Sequence, residues 1–237
     1  MTRRRWIADE VTGDRATLRG QNAYHLARVL RAKVGQQFDL VADGRVRRAR
    51  ISNVSDDRVE FELAGEVPAS DLPVEITLLL SVFKFDRMEW VLEKATELGV
   101  ASIVPVVAGR TETHLASAAV KRLDRWQRIV HEAAQQARRA SVPEVAPPAK
   151  LHAVLAEGGP GIVLAEAEQE VSLKKALADM KAGKAIRLAV GPEGGWTNGE
   201  VESFRTAQWR TASLGTNILR AETAAIAAIA VAISELT

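Results

Sequence analysis

Two glycine-bearing loops within residues 189–223 hold the residues whose types and spacing could do chemistry. The first loop reads AVGPEGGWTNGEVE and the second ASLGTNILRAET. The apolar runs 186–190 and 212–214 each lead into glycine and then into a helix-starting pattern, which predicts a strand, a turn and a helix N-terminus twice. A helix N-terminus offers unpaired N–H groups, and glycine lets a ligand approach the backbone. The two turns therefore predict one shared pocket.

Arg220, inside the second loop, is the candidate catalytic residue. A guanidinium keeps its charge and offers paired N–H donors, so it suits the stabilisation of negative charge that develops on oxygen. The structural alternative is an ion pair with Glu222 or Glu193 that holds the loop. We expect Glu193, between the glycines of the first loop, to brace that loop rather than to accept a proton. No carboxylate–histidine pair is legible, so the general base is unassigned.

Composition restricts the chemistry that this chain can perform. Its 237 residues include no cysteine, which excludes a disulfide framework, thiolate catalysis and cysteine-ligated zinc. No apolar segment follows the N-terminal TRRRW, and the apolar run 224–233 is about half the length that a bilayer requires. We expect a cytoplasmic protein without a metal.

The positive charge is concentrated at the start of the chain. Residues 1–50 contain 12 Lys or Arg against 5 Asp or Glu, whereas the whole chain carries a net charge of only +2. This asymmetry predicts a surface that binds a polyanion, and the alternative is a solvated basic face without a ligand.

Residues 1–70 are predicted to form a small β domain. Strands are expected at 15–19, 37–41, 46–51 and 59–63, separated by Gly-Asp, Asp-Gly and Asp-Asp turns. A short helix at 22–33 would carry Arg28 and Arg31 away from its apolar face. The segment 65–73, with two prolines and a glycine, is the predicted linker.

An α/β pattern follows the linker. The nearly continuous apolar run 74–82 and the run 103–107 predict buried parallel strands, and they flank a helix that Gly99 ends. We expect Asp86 to cap that helix, with Glu89 completing a capping-box pair. Strand, helix and strand in about 35 residues make a βαβ unit, so the second domain is predicted to be α/β.

Further helices and strands are predicted in the rest of this domain. A long helix at 117–140 would end in Arg138 and Arg139, followed by helices at 151–157 and 173–180 and a strand at 162–166. Glycines precede this strand rather than follow it, and GxxxxGK[ST] is absent, so nucleotide-binding loops of the common kinds are not predicted. The final helix is apolar nearly all round, which predicts burial by the sheet and either by a second subunit or within the domain.

The sequences of these motifs resemble those of a known family. GPEGGWTNGE and LGTNILRAETA, with YHLARVLR, FDRMEWVLEKATELGV and HEAAQQARRASVPEV in the same order, resemble the RsmE family of 16S ribosomal RNA uridine-N3 methyltransferases in the SPOUT superfamily. The resemblance runs nearly end to end. It implies a PUA-like β-barrel that binds RNA at 1–70 and an α/β SPOUT domain with a mostly parallel sheet and a deep trefoil knot at 73–237. It also implies a homodimer with composite active sites.

The resemblance also implies a ligand and a substrate. The cofactor would be S-adenosylmethionine and the substrate one uridine, methylated at N3, in small-subunit ribosomal RNA or the 30S particle. Asn217 stands where family members often carry a basic residue, and Trp196 and Thr197 replace the commoner Phe-Ser. Residues around the two loops would hold the cofactor: Leu164, Val190, Gly191, Glu193, Gly194, Leu214, Gly215, Ile218 and Leu219. The arginines predicted to bind RNA are Arg3, Arg4, Arg5, Arg28, Arg31, Arg138 and Arg139.

Two other functions fit the same sequence. A SPOUT methyltransferase that acts on a ribose hydroxyl or on transfer RNA would share the cofactor loops and differ in the base pocket. A non-catalytic RNA-binding or ribosome-assembly factor would use the α/β domain as a platform for dimerisation.

Overall fold

A computed structural model describes residues 5–68, 74–180 and 185–237. The described residues form two compact units, one drawn from 1–71 and 134–142 and the other from 72–133 and 143–237. The predicted domains, 1–70 and 73–237, place residues 134–142 in the second domain instead. These residues belong to the first unit because the N–H of Arg5 donates to the carbonyl oxygen of Gln135 at 3.1 Å and Ala140 packs with Val41 and Val46. The roles of the two domains stay predictions.

The first unit contains a six-stranded sheet. The strands run β1-β4-β5-β6-β3-β2 across the sheet, and all neighbours are antiparallel except the parallel pair β1 and β4. All four predicted strands are confirmed to within three residues at each end, whereas β1 and β2 are too short to show an alternating pattern. The strands are β1 (Trp6–Ile7), β2 (Glu10–Thr12), β3 (Arg15–Arg19), β4 (Gln37–Ala42), β5 (Arg45–Val54) and β6 (Arg58–Glu66).

A helical segment packs on this sheet, but it is not the regular helix that the apolar spacing predicts. The α-helix α1 (Gly20–Tyr24) passes into a π-helical turn, His25–Val29, and ends before Arg31, whose φ is 51°. Leu26 is fully buried with Trp6 and Phe61, whereas Val29 is 59% exposed. The wider π turn rotates Val29 away from the core, which is why the predicted apolar face is only partly used.

The second unit is built on a seven-stranded sheet in which every pair is parallel. Six strands follow the order β10-β8-β7-β12-β11-β13, and β9 pairs with β8. The predicted α/β class with a mostly parallel sheet is confirmed. The strands are β7 (Glu75–Ser81), β8 (Ser102–Val107), β9 (Glu144–Val145), β10 (Ala149–Lys150), β11 (Gly161–Leu164), β12 (Ala185–Val190) and β13 (Arg210–Ala212).

Helices join these strands, and the longest of the predicted helices differs from its prediction. The helix predicted at 117–140 begins earlier, is interrupted by a 3₁₀ turn at Val120–Arg122 and ends before Arg138, whose φ is 58°. The helices are α2 (Phe85–Leu98), α3 (Thr113–Ala119), α4 (Leu123–Gln136), α5 (Leu151–Ala156), α6 (Leu173–Asp179), α7 (Asn198–Thr206) and α8 (Ala221–Leu236).

The prediction that Asp86 caps α2 is wrong. Lys84 is the N-cap residue and offers no capping hydrogen bond from its side chain, while Asp86 lies inside the first turn. Glu89 instead accepts two hydrogen bonds of 2.7 Å from Arg125. The predicted end of the helix is confirmed, since Gly99 adopts φ 101°.

The alanine-rich helix α8 is packed on several sides within its own unit. It lies against α2, α6 and β12, and its buried positions are mostly alanines, which allow the backbones to approach closely. Burial by the sheet is therefore confirmed. The second subunit and the trefoil knot stay predictions.

Candidate active site

Three neighbouring strand ends define one edge of the parallel sheet in the second unit. In the order β12-β11-β13 the strands end at Val190, Leu164 and Ala212. Because all three strands run in the same direction, the two glycine loops and the segment after Leu164 leave the sheet side by side. Ligands of open α/β sheets bind at the carboxyl ends of the strands, so this edge is the expected place for a site.

A cavity of about 560 Å³ lies at this edge. Its volume falls within the range of roughly 300–1,000 Å³ that small-molecule sites occupy. All ten residues that the sequence assigns to cofactor binding or catalysis line it, so the predicted convergence of the two loops is present. They are Leu164, Val190, Gly191, Glu193, Gly194, Leu214, Gly215, Ile218, Leu219 and Arg220.

Trp196 joins the first glycine loop to the end of β11. Its indole Nε1 donates a hydrogen bond of 3.1 Å to the carbonyl oxygen of Leu164, and the ring is only 8% exposed. The ring also passes close to Gly191, where an added Cβ would lie 3.2 Å from Nε1. Glycine at 191 thus lets the indole pack under the loop, and a side chain there would push one of them aside.

A capping box starts helix α7 directly after this loop. The Thr197 hydroxyl accepts from the N–H of Glu200 at 3.3 Å, and Glu200 accepts from the N–H of Thr197 at 2.8 Å. Glu200 also accepts a 2.7 Å hydrogen bond from the N–H of Gly109, in the loop after β8. One carboxylate therefore fixes both the start of α7 and a neighbouring loop of the same sheet edge.

The second glycine loop ends in Arg220, which is the N-cap residue of α8. Gly215 has φ 117°, a conformation that favours glycine, and Ile218 is 81% exposed. The side chain of Arg220 is exposed and lines the cavity. The alternative role of Arg220, an ion pair with Glu193 or Glu222, is not present in the part of the chain that the structure describes.

Both of those carboxylates pair with Arg87 instead. Arg87, in the first turn of α2, donates from Nη1 to Oε1 of Glu193 at 2.6 Å, and its Nε lies 3.7 Å from Oε1 of Glu222. Glu193 thus ties the first loop to α2 through an ion pair, and its predicted role as a brace of the loop stays a prediction. Arg87 itself lines the cavity and was not predicted as a site residue.

Arg110 is a second cavity residue that the sequence analysis missed. It follows β8, and its Nη1 donates to the carbonyl oxygen of Gly194 at 2.5 Å. Both arginines could have been proposed as site residues from their position, because each lies shortly after a strand of the parallel sheet. Strands β7 and β8 are parallel to β12, so the segments after them reach the same sheet edge as the glycine loops.

The segment after β11 forms another wall of the cavity and is held by Glu168. The carboxylate of Glu168 accepts the N–H groups of Glu170 at 2.9 Å and Val171 at 3.0 Å. These two hydrogen bonds lower the pKa of Glu168 from its ordinary value, because they favour the charged form. The carboxylate is therefore ionised at neutral pH and keeps the turn closed.

The described arginines among those predicted to bind RNA belong to the first unit. Arg3 and Arg4 lie outside the described residues. Arg28 pairs with Asp56 at 2.5 Å, and Arg31 is exposed with a left-handed backbone. Arg28 therefore has a local partner that RNA would have to displace, whereas the described residues supply none for Arg31.

The other three predicted RNA-binding arginines meet where residues 134–142 join this unit. Arg5 donates from Nη1 to the carbonyl oxygen of Arg138, and Arg139 donates from Nη2 to the hydroxyl of Ser141 at 3.4 Å. The two segments, far apart in sequence, thus bring Arg5, Arg138 and Arg139 into one neighbourhood.

Neither a cluster of metal ligands nor a helix able to span a membrane is found among the described residues. Across 5–68, 74–180 and 185–237, no three His, Asp or Glu side chains are grouped closely enough to hold a metal ion. Over the same ranges no helix has both the length and the hydropathy needed to cross a lipid bilayer.

Comparison with known proteins identifies the class first. The family model of the RNA methyltransferase domain matches residues 70–233, and the model of the RNA methyltransferase PUA domain matches residues 18–64. The PUA match lies within the first unit, and the methyltransferase match covers most of the second unit together with residues 134–142 of the first. They define an RNA methyltransferase with an attached PUA domain.

Individual relatives narrow the class. The ribosomal RNA small subunit methyltransferase E of Bacillus subtilis is 31% identical over 90% of this chain and 87% of its own length. The protein of the same name from Synechocystis is 33% identical over 90% of this chain and 71% of its own. A crystal structure of the Neisseria gonorrhoeae protein of that name, bound to S-adenosyl methionine, superposes with a TM-score of 0.83 at 32% identity, covering 96% of this chain and 95% of that one. The chain belongs to the ribosomal RNA small subunit methyltransferase E family.

Proposed function

We propose that this protein transfers a methyl group from S-adenosylmethionine to N3 of one uridine in small-subunit ribosomal RNA. The observation that carries the proposal is the cavity at the ends of β11, β12 and β13, with Arg220 on its wall and no ion pair to Arg220 among the described residues. Family membership supports S-adenosylmethionine-dependent methylation of ribosomal RNA. The choice of uridine N3 rests on the resemblance of the loops and on the chemistry of Arg220.

The cavity suits S-adenosylmethionine in size and in the character of its walls. Glycine turns expose backbone N–H and carbonyl groups that can bind the adenine, ribose and amino-acid parts, while Leu164, Val190 and Leu214 provide apolar contact. Gly191, Gly194, Gly215, Ile218 and Leu219 complete the proposed cofactor contacts, and Glu193 shapes the first loop through Arg87. When bound, the cofactor supplies the methyl group as an electrophile on a sulfonium.

Arg220 supplies the charge stabilisation that attack by uracil N3 needs. The protonated imide nitrogen has no lone pair free for attack, so its proton must leave before or as the new bond to carbon forms. The negative charge then spreads onto the two flanking carbonyl oxygens. Arg220 can donate N–H groups to these oxygens without losing its own proton. Solvent or a base not yet assigned takes the proton.

The first unit is proposed to hold the RNA by its phosphates. Its basic residues suit sequence-independent contacts, and exposed Arg31, which has no ion pair among the described residues, is one candidate. Chemistry at N3 requires an unpaired uridine, since Watson–Crick pairing hides that edge. A single-stranded loop or junction of small-subunit RNA, free or in the 30S particle, is therefore the proposed substrate.

We also propose that the enzyme acts as a cytoplasmic homodimer with composite sites. The exposure of Ile218, an apolar residue on the cavity wall, supports a covering surface from cofactor or partner. Sedimentation of the purified protein, with and without S-adenosylmethionine, measures the oligomeric state.

Two measurements test the proposed function. Isothermal titration calorimetry of the purified protein should detect saturable binding of S-adenosylmethionine, and a non-catalytic assembly factor would show none. Nucleoside mass spectrometry of small-subunit RNA from a strain lacking the gene should show the loss of one base-methylated uridine, restored by the purified enzyme. If the lost methyl group lies on a ribose or in transfer RNA, the proposed substrate is wrong although the cofactor site stands.

A further inference from the structure

We infer that Arg87 is a positioning residue that occupies Glu193 and Glu222 and thereby keeps Arg220 available to the substrate. The inference rests on the proposed function of the cavity and adds a residue to it. Glu193 lies in the first glycine loop, and Glu222 lies two residues after Arg220. Both carboxylates pair with Arg87, which belongs to helix α2.

Arg87 connects three segments that are far apart in the chain. It lies in the first turn of α2, Glu193 lies 106 residues later in the first glycine loop, and Glu222 lies in the first turn of α8. Helix α2 packs against α8, so the position of Arg87 is fixed by the core rather than by the loops. A guanidinium can serve two carboxylates at once because its donors point in several directions.

The burial of these groups makes the pairing consequential. The side chains of Arg87, Glu193 and Glu222 are 30%, 35% and 15% exposed. Oε2 of Glu222 is buried and has no hydrogen-bond partner in the described portion of the chain, so Arg87 is the main compensation for that carboxylate. A carboxylate held away from water without a cation is costly, and it therefore pairs with the next cation within reach.

The nearest alternative cation in sequence is Arg220, two residues before Glu222. Glu193 and Arg220 also line the same cavity. Without Arg87, either acid can take the N–H donors that Arg220 would otherwise present to the uracil carbonyl oxygens. An added carboxylate beside the developing negative charge would also oppose the reaction. Both effects lower kcat more than they change the binding of the cofactor.

A double-mutant cycle on the full-length protein tests this role. In the wild-type background, Arg87→Gln should lower kcat for methylation of small-subunit RNA by at least about tenfold, whereas in a Glu193→Gln/Glu222→Gln background the same change should have an effect of less than about threefold. Arg87→Lys, which keeps the charge, should retain part of the activity. Equal losses in the two backgrounds would overturn the inference, since Arg87 would then act on substrate or cofactor directly.

A second readout does not depend on catalysis. Phenylglyoxal labels accessible arginines, and mass spectrometry of digested protein gives the rate at Arg220. We expect the labelling of Arg220 to slow several-fold in Arg87→Gln and to recover when both acids are also changed to glutamine. If Arg87→Gln has the circular dichroism spectrum of the wild type and the labelling of Arg220 does not change, the inference is wrong. This conclusion does not depend on which RNA the enzyme methylates. Failure of wild-type protein to methylate any RNA would instead refute the proposed function and leave this readout intact.

Discussion

At the scale of single residues, the site depends on how charges are distributed among three arginines. Arg87 is bound to two carboxylates, Arg110 to the carbonyl oxygen of Gly194, and Arg220 to neither kind of group in the described chain. The first two arginines fix the loops. Of the three, Arg220 is the one whose guanidinium lines the cavity without a partner among the described residues, which suits a group that must meet a transient anion.

Replacement of Arg220 should therefore affect the chemical step. We expect Arg220→Gln to lower kcat by about 10²–10³, because a preorganised donor to the developing anion is lost. Arg220→Lys should be intermediate, since a lysine keeps the charge but loses the paired donors. Single-turnover methylation assays measure this step, and calorimetry should show a nearly unchanged Kd for S-adenosylmethionine.

Arg205→Gln is the matched control for this experiment. Arg205 lies at the end of α7 in the same unit, and its side chain pairs with Glu202 at 3.5 Å on the surface. Its replacement should leave kcat near the wild-type value. Equal losses of kcat in the two variants would show that Arg220 acts through general electrostatics and not through contact with the substrate.

At the scale of elements, the sheet edge is held together by loops that share hydrogen-bond partners. Glu200 supports the start of α7 and the loop after β8, and Trp196 ties the first glycine loop to the end of β11. Such cross-links reduce the number of conformations available to the two glycine loops. When a ligand enters a cavity with fixed walls, less binding free energy is lost in ordering the loops.

Glu200→Ala should destabilise this edge measurably. It removes the carboxylate from the capping box and leaves the N–H of Gly109 without its 2.7 Å partner. We expect the free energy of unfolding in urea to fall by about 1–2 kcal/mol, the usual cost of losing a helix cap. Glu202→Ala, on the same helix, removes a surface ion pair with Arg205 and should change it by less than about 0.5 kcal/mol. If both substitutions cost the same, the shared carboxylate is not a support of the edge.

Much of this architecture could be predicted from local patterns. The apolar run 186–190 became β12, and Gly99 ended α2 as expected, whereas the strand predicted at 212–214 lies two residues earlier, as β13. The capping role of Asp86 was mispredicted because a helix start depends on backbone geometry one or two residues away. The helix predicted at 117–140 is interrupted by a 3₁₀ turn and ends before the left-handed Arg138. Neither feature could be predicted, because neither changes the spacing of the apolar residues.

Contacts between distant segments are the part that sequence patterns cannot supply. Neither Arg87 nor Arg110 belongs to a glycine loop, and their partners lie 106 and 84 residues away. Strand order decides this proximity, because β7 lies between β8 and β12 and the segments after all three strands reach one edge. A single sequence gives the strands but not their order. The pairing of Arg87 with both acids therefore became visible only with the fold.

At the scale of the whole molecule, we predict that RNA binding and methyl transfer are divided between two units with different charge. The second unit contains the cavity and the first contains the basic segment 5–50, most of whose cations are exposed. This division predicts that RNA affinity and cofactor affinity respond to different substitutions. It also predicts that only the former depends strongly on salt, since phosphate contacts release counterions.

Arg31 gives the sharpest test of this division. Its side chain is exposed without an ion pair in the described chain, and its backbone adopts φ 51°, which ordinary residues rarely occupy. We expect Arg31→Gln to weaken binding of a small-subunit RNA fragment and to reduce the slope of log K against log salt concentration by about 1, the loss of one phosphate contact.

Arg45→Gln is the control, because Arg45 is already paired with Glu66 at 2.6 Å. Fluorescence anisotropy over a range of salt concentrations measures both slopes. Because the cavity lies in the other unit, the Kd for S-adenosylmethionine should not change in either variant, and a slope equal to that of the wild type in Arg31→Gln would remove Arg31 from the RNA-binding surface.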